Sequence, residues 1–358
     1  MLDAIVQLDT QQGPAALNVI SGQSYANLGT FNTQTAGAFM SAVGAQLSAL
    51  HGGQGRGGAY VALADLFEQA CTSACEVPPE PSRFGAWLSG VGGLGSVLGN
   101  ANAGTMTYNF GGTAVGIDYR VRPDLLVGVA AGYVGGTQWV NGFSGQASTD
   151  AISGSLYASY TPGNLYVDGV AGYAYASNRM TRMIAIPGLT ARTAQGTTGA
   201  NQVMGLLESG WRFDLPLALP ASVTPFARLQ GSTTTQSGFT ESGANSLNLV
   251  VQQQTVNSLR STFGVDFSAT LPKTTIGVRL GWQHEYADTS RPMTASFSGS
   301  PGTPFTVFGA TPQRDSAVVG LGATFQVAAA TEVSLRYDGE LGGGTNNNAL
   351  TLGLRMKW

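Results

Sequence analysis

The chain ends with the sequence LTLGLRMKW at residues 350–358, in which apolar residues alternate with polar or small ones. Successive side chains of a β-strand point to opposite sides, so residues two apart share a face. The apolar face would consist of Leu350, Leu352, Leu354, Met356 and Trp358. The pattern therefore predicts a strand whose apolar face continues unbroken to an aromatic last residue.

The composition of the chain is poor in charge without being strongly apolar. Charged residues make up 10% of the sequence, whereas a soluble domain carries roughly 25%. The hydrophobic fraction is 43% and the mean hydropathy is +0.06. We find no apolar run of about 18 residues, so the sequence predicts no transmembrane helix. A transmembrane β-barrel explains both features, because each of its strands shows only every second side chain to lipid.

Other classes of function find little support in the sequence. The net charge of −3 and the scattering of the 17 basic residues argue against a nucleic-acid partner. Cys71 and Cys75 enclose three residues, and we predict a disulfide between them rather than a metal site. His51 and His284 are far from them in sequence, so no cofactor or metal is expected. Because no secretory signal peptide opens the chain, we expect a fragment or the mature part of an exported protein.

The first 83 residues differ in pattern from the rest. Apolar residues recur at spacings of three and four through residues 17–50, which predicts one or two amphipathic helices. A glycine-rich break at residues 52–58 separates them from a shorter helical candidate at residues 59–69. Pro78-Pro79-Glu80-Pro81 then marks a linker. We divide the chain into a helical linker and pore-plug region, residues 1–83, and a β-domain, residues 84–358.

Residues from Phe84 onward alternate with a period of two, which predicts twelve strands. They cover residues 84–98, 107–121, 125–140, 148–160, 165–183, 201–215, 223–241, 251–271, 274–295, 305–327, 331–341 and 348–358. Short links follow every second strand, and longer links rich in Gly, Ser and Thr alternate with them, such as residues 141–147, 184–200, 242–250 and 296–304. This alternation is typical of an antiparallel outer-membrane barrel with short periplasmic turns and long extracellular loops.

The charged residues of the predicted strands fall on one face. For example, Ile276, Val278 and Leu280 alternate with Gly277 and Arg279. An Arg or Lys that faced lipid near the midplane would cost about 2 to 4 kcal/mol, so the charged face should line the lumen. The predicted lumen-facing residues are Asp118, Arg120, Glu208, Arg212, Arg228, Arg260, Asp266, Arg279, Glu332, Arg336, Asp338 and Arg355. Their mixed signs favour a hydrated, self-paired wall over an ion-selective channel.

Several stretches of this sequence resemble a known family. FGAWLSGVGGLGSV at residues 84–97, GGTAVGIDYRVRPDLLVGVAAGYVGG at residues 111–136 and STDAISGSLYASY at residues 148–160 resemble the opening of the autotransporter β-domain. This domain is the translocator of type V secretion, and the resemblance is to its classical monomeric type. AALNVISGQSYANLGTFNTQTAGAFMSAVGAQL at residues 15–47 is similar to the helical segment that often precedes it. A passenger domain is absent from the sequence.

The resemblance implies an all-β fold, a twelve-stranded barrel in the outer membrane whose pore holds an upstream helix. We expect some part of residues 34–69 to lie in the pore. The implied function is to anchor in the outer membrane and to enable export of an N-terminal passenger to the cell surface. The implied partners are outer-membrane lipid, the chain's own passenger and the barrel-assembly machinery, which would recognise the last strand as its signal. The resemblance implies a monomer that is not an enzyme.

Two other functions remain as alternatives at this point. A porin-like channel shares the barrel but does not need the helical region of about 80 residues. A barrel hydrolase could use His284 and Glu285, but His284 follows Trp282 on the presumed lipid face. A catalytic base must also lie within about 3 Å of its nucleophile. Self-cleavage of the linker is left open, with Asn27, Asn32, Asp65 and Glu68 as the candidate residues; the linker has no Asn–Asn pair.

Overall fold

The computed structural model describes residues 7–51, 83–143 and 145–358. Three helices come first: α1 (Gln12–Ser21), α2 (Gln23–Ala26) and α3 (Leu28–His51). The strands are β1 (Phe84–Val97), β2 (Met106–Arg122), β3 (Leu125–Val140), β4 (Gly145–Tyr160), β5 (Leu165–Ile184), β6 (Arg192–Trp211), β7 (Phe213–Leu215), β8 (Ala221–Gln236), β9 (Phe239–Thr240), β10 (Leu249–Val251), β11 (Gln254–Leu271), β12 (Thr274–Glu285), β13 (Pro292–Phe297), β14 (Ser300–Phe308), β15 (Asp315–Ala328), β16 (Thr331–Leu341) and β17 (Thr345–Lys357). The predicted helix at residues 59–69 and the predicted Cys71–Cys75 disulfide lie outside the described residues.

Twelve of these strands close into an antiparallel barrel. The sheet order is β11-β12-β15-β16-β17-β1-β2-β3-β4-β5-β6-β8, and β8 pairs with β11 to complete the circle. The short strand β7 extends the wall beside β8. The predicted fold class and the number of barrel strands are therefore confirmed.

The two ends of the barrel sequence meet at a continuous seam. β17 pairs with β1 from Gly85 opposite Lys357 to Val97 opposite Thr345. The amides of Phe84 and Trp358 each donate to the other's carbonyl oxygen, both at 3.0 Å. A closed ladder leaves the barrel without an unpaired strand edge, which is what a wall in lipid requires.

The alternation in sequence becomes a two-faced wall. On β17, the side chains of Leu350, Leu352 and Leu354 are exposed, whereas Thr351 and Arg355 are buried. The same division holds along the other barrel strands, so the outer surface is dominated by Val, Leu, Ile and Phe. An exposed apolar band of this kind is expected on a barrel surrounded by lipid.

Helix α3 fills the interior of the barrel. It packs against β1 to β6, β8, β11 and β17, and apolar residues such as Phe39, Val43 and Leu47 are fully buried. Glycines on the inner wall make the close approach possible: a Cβ on Gly132 would lie 2.6 Å from the ring of Phe39. The prediction that part of residues 34–69 lies in the pore is confirmed for residues 34–51; the remainder is outside the described residues.

Among the described residues, no helix combines the length and the apolar character that a membrane crossing requires.

The direction of α3 through the barrel follows from its end contacts. At its start, Asn27 accepts a hydrogen bond from the amide of Ala310, in the long link between β12 and β15. At its end, His51 contacts Asp168, close to the short turn before β5. The amide of Arg120 donates to the carbonyl oxygen of Arg83, so β1 begins at the same short-turn end.

The structure corrects the prediction for two of the strands and their long links. Residues 274–295 and 305–327 were expected to be single barrel strands, but β12 ends at Glu285 and β15 begins at Asp315. The hairpin β13–β14 lies between them and joins β9 and β10 in a separate four-stranded sheet, in the order β14-β13-β10-β9. Hairpins in a loop show the same period of two as barrel strands, so alternation does not distinguish them.

Candidate functional site: the plugged interior of the barrel

A network of ion pairs around Glu208 crosses the interior wall from β5 to β12. Its carboxylate accepts from Arg228 at 2.5 Å, from Arg279 at 3.0 and 3.2 Å and from the Tyr166 hydroxyl at 2.9 Å. Arg279 also donates to Asp266 at 2.6 Å. Two carboxylates therefore compensate two guanidinium groups, as buried charges require.

A second network lies at the seam. Arg355 on the last strand donates to Asp118 at 2.6 Å, and the Tyr157 hydroxyl donates to the other oxygen of Asp118 at 3.0 Å. Trp87 donates to the Tyr157 hydroxyl at 2.8 Å. Trp87 is therefore buried in the interior and does not face the lipid. It turns inward because Gly116 leaves room for its indole, whose ring atoms would lie about 2.4 Å from a Cβ there.

The other residues predicted to face the lumen form smaller groups. Arg260 pairs with Glu285 at 3.1 Å and with Glu340 at 3.6 Å, Arg336 with Asp338 at 2.8 Å, and Glu332 with Lys357 at 2.7 Å. Arg212 pairs with Asp214 at 2.7 Å. Arg120 donates to the carbonyl oxygen of Pro123 at 3.1 Å, so it lies at a short turn.

Polar contacts join α3 to the inner wall. Gln46 donates to the Ser89 hydroxyl at 3.0 Å. Nε2 of His51 lies 2.7 Å from Asp168, and Arg212 donates to the carbonyl oxygen of His51 at 3.3 Å. The helix is thus attached to the wall on the side of β1 and at its last turn.

A buried cluster holds the segment before α3 at the long-link end. Tyr25 donates to Glu241 at 2.5 Å, and Arg182 forms a salt bridge with the same carboxylate at 2.5 Å. Burial and the adjacent Glu241 raise the pKa of Tyr25 far above its usual range. Arg182 also donates to the carbonyl oxygen of Val19 at 3.2 Å. Sequence reasoning missed this cluster, because it depends on how loops pack and no local pattern marks it.

Further contacts from two links close over the same segment. The Gln23 side chain donates to the carbonyl oxygens of Asn102 at 2.8 Å and Phe308 at 3.2 Å, and it accepts from the amide of Gly104 at 3.0 Å. Arg291 donates to the Thr30 hydroxyl at 2.9 Å, and burial lowers the pKa of Arg291 to about 10. These hydrogen bonds hold the chain where it passes from the interior to the outside of the barrel.

His284, the candidate catalytic base, lies outside this interior. His284 is on the outer face, with its Nδ1 2.8 Å from Asp315 and its ring against Trp282 and Tyr286. No hydroxyl or thiol nucleophile is among its partners in the part of the chain that the structure describes. Within residues 7–51, 83–143 and 145–358, no group of three or more His, Cys, Asp or Glu side chains is arranged to hold a metal ion.

The solved structures that match this architecture include two autotransporter barrels. The translocator domain of autotransporter NalP from Neisseria meningitidis superposes with a TM-score of 0.61 at 17% identity, covering 84% of this chain and 98% of that domain. The transport unit of the autotransporter AIDA-I from Escherichia coli gives a TM-score of 0.55 at 14% identity, covering 82% and 97%. At these identities the similarity concerns the fold.

Comparison of sequences gives a family match. Residues 86–338 match the family model described as the autotransporter beta-domain. An extracellular serine protease of Serratia marcescens is 26% identical over 281 residues, which cover 76% of this chain and 26% of that protein. Esterase EstA of Pseudomonas aeruginosa is 24% identical over 281 residues, 43% of its length. The chain thus spans less than half of these relatives.

Proposed function

The chain belongs to the autotransporter β-domain family, and we propose that α3 marks the route by which its barrel brings an N-terminal passenger to the cell surface. The chain is the outer-membrane translocator domain of an autotransporter; the porin-like and hydrolase alternatives are not favoured. The observation that carries the proposal is a helix that fills the barrel and is preceded by α1 and α2 at the long-link mouth. A passive channel has no need of such a helix.

The ends of α3 support a direction of transport. The helix ends at the short-turn end, where β1 also begins, and α1 and α2 precede it at the opposite mouth. A passenger joined ahead of residue 7 would therefore emerge beside the long links. We place these links, including β13 and β14, at the cell exterior and the short turns in the periplasm.

The two parts of the chain would have different roles in this translocator. Residues 1–83 would act as linker and plug, and residues 84–358 as a monomeric barrel whose apolar band contacts outer-membrane lipid. The predicted lumen-facing charges would keep the interior hydrated while pairing with one another. The oxidising environment of an exported protein supports the Cys71–Cys75 disulfide.

The last strand supports a role in assembly. Leu350, Leu352, Leu354, Met356 and Trp358 present an exposed apolar face. This face belongs to the strand that closes the barrel against β1. An open strand edge can pair with a strand of another protein before closure. We therefore propose that this strand is the signal that the barrel-assembly machinery recognises.

Catalysis by the barrel itself is not part of the proposal, because the family is a translocator domain and not a catalytic one. Self-cleavage of the linker is the remaining alternative. Asn27 and Asn32 are buried at the start of α3, while Asp65 and Glu68 lie outside the described residues. An amino-terminal sequence of the membrane-bound fragment distinguishes the two cases, since cleavage would place its first residue within the linker.

An epitope joined ahead of residue 1 tests the direction of export. With a signal peptide supplied, the epitope should be labelled by antibody on intact cells. The same epitope inserted at the short turn Pro272-Lys273 serves as the control and should be labelled only after lysis. An amino-terminal epitope that is reached only after lysis would contradict the proposed route.

A further inference from the structure

Three aromatic rings stand in a row on the outer face of the barrel, where β12 leads into its long link. They belong to Trp282, His284 and Tyr286, whose side chains share a face because they are two residues apart. The centroids of neighbouring rings are 5.7 and 4.8 Å apart. The amide of Tyr286 donates to the carbonyl oxygen of Leu259 at 2.8 Å, so the row stays attached to the wall up to its last ring.

The row lies at the upper edge of the apolar band. The exposed apolar side chains of β12 begin at Ile276, about ten residues before Tyr286. A strand rises about 3.3 Å per residue, and a tilt of about 40° leaves about 2.5 Å of this rise along the barrel axis. Tyr286 therefore stands about 25 Å above Ile276, which is the height of the apolar band of such barrels. The rings thus lie where acyl chains give way to headgroups.

Polar groups are held beside these rings. Asp315 lies opposite His284 on β15. Its Oδ1 accepts a hydrogen bond from the indole of Trp282 at 3.1 Å and lies 2.8 Å from Nδ1 of His284, and its side chain is 60% exposed. The guanidinium of Arg314, the preceding residue, donates to the carbonyl oxygen of Glu285 at 2.9 Å. A carboxylate and a guanidinium are therefore fixed next to exposed aromatic rings.

This combination suits a sugar ring. The faces of aromatic rings are negative, so the C–H groups of a pyranose pack favourably against them. Sugar hydroxyls can donate to the carboxylate of Asp315 and accept from the guanidinium of Arg314, and hydrogen bonds to charged groups are the stronger kind. Because Asp315 already holds Trp282 and His284 in place, binding would immobilise few further side chains.

We propose that the sugar headgroup of an outer-leaflet glycolipid binds at this site, formed by Trp282, His284, Tyr286 and Asp315. The acyl chains of the same lipid would lie along the apolar outer face of β12 below the rings. The inference rests on the proposed orientation, in which the long links face the cell exterior. It gives the translocator a fixed contact with the leaflet beside which the passenger emerges.

Calorimetric titration of the detergent-folded full chain with deep-rough lipopolysaccharide tests the site, and phosphatidylethanolamine is the comparison lipid. Trp282→Leu combined with Tyr286→Leu removes two rings and keeps apolar side chains. This variant should bind lipopolysaccharide about tenfold more weakly than the wild type, as expected for two ring contacts, and phosphatidylethanolamine equally well. Asp315→Ala keeps the rings and should weaken the binding of lipopolysaccharide about fivefold, because a hydrogen-bond acceptor is lost.

Trp211→Leu combined with Tyr160→Leu is the matched control at the short-turn end. The side chains of Trp211 and Tyr160 are 49% and 39% exposed, against 48% and 54% for Trp282 and Tyr286. The control should bind lipopolysaccharide as the wild type does. Heat-modifiable migration in gels shows that each variant has a folded barrel.

Unchanged affinity for lipopolysaccharide in both variants of the site would overturn the proposal. An equal loss of affinity for the two lipids would also overturn it, because the rings would then be an ordinary interfacial belt. A loss confined to the control variant would place the glycolipid at the short-turn end and overturn the site. The titration in detergent does not depend on the direction of export, so a failure of the epitope test is distinguished from a failure of this site.

Discussion

Arg355 and Asp118 form a buried ion pair between the last strand and the first hairpin. Their side chains are 6% and 2% exposed, and Tyr157 and Trp87 extend the network behind them. Removing one member of such a pair leaves the other charge buried without compensation. The pair therefore couples closure of the seam to the packing of the inner wall.

Asp118→Asn should weaken the barrel strongly, because it leaves the Arg355 guanidinium facing an amide. We expect the free energy of unfolding to fall by about 3 to 5 kcal/mol. The measurement is the denaturant concentration at which the heat-modifiable form disappears.

Lys357→Met is the matched control for this variant. Lys357 pairs with Glu332 on the neighbouring strand, but its side chain is 30% exposed. A surface pair of this kind contributes less than about 1 kcal/mol. Equal losses in Asp118→Asn and Lys357→Met would contradict the special role of the seam.

At the scale of elements, β17 has two separable features. Its backbone pairs with β1 and β16, while its outward side chains form the apolar terminal face. Many barrel strands have an outward apolar face of this kind. A role as assembly signal therefore requires that substitutions in β17 reduce insertion more than equivalent substitutions in another strand.

Replacing Leu352 and Leu354 by Ser should prevent insertion into the outer membrane, because the terminal apolar face is lost while backbone pairing is kept. Leu321→Ser combined with Phe325→Ser on β15 is the control, since these side chains are 51% and 42% exposed against 57% and 39% for Leu352 and Leu354. The amount of heat-modifiable barrel in outer-membrane fractions is the measurement. Equal loss in both variants would show that the outward side chains of β17 serve only for contact with lipid, and it would contradict the assembly role.

The barrel strands were predictable because a wall between lipid and a polar interior imposes a period of two on every strand. The same period misled the prediction at residues 292–308, where β13 and β14 form a loop sheet. Trp87 shows another limit: whether an aromatic residue points inward depends on the glycine opposite it. The contact of Arg182 with Glu241 joins β5 to a loop, and no spacing in the sequence indicates it.

At the scale of the whole molecule, the barrel and its plug form one unit with two differently closed ends. At the long-link end, side chains of several loops form hydrogen bonds around the start of α3 and the segment before it. The ion pair of Arg182 and Glu241 belongs to this set of contacts. At the short-turn end, the helix is held by His51 and Asp168 beside a polar cavity. The chain is therefore held at both mouths of the barrel, by loop side chains at one and by the inner wall at the other.

Cysteine labelling at Ala42 and Leu17 tests the central claim, that α3 lies inside the barrel and its preceding segment outside. Ala42 is completely buried in α3, whereas Leu17 in α1 is 54% exposed. With Cys71 and Cys75 replaced by Ser, Leu17→Cys should react with a membrane-impermeant maleimide on intact cells. Ala42→Cys should react only after the barrel is unfolded by heat. Equal reaction of both cysteines on intact cells would contradict the account.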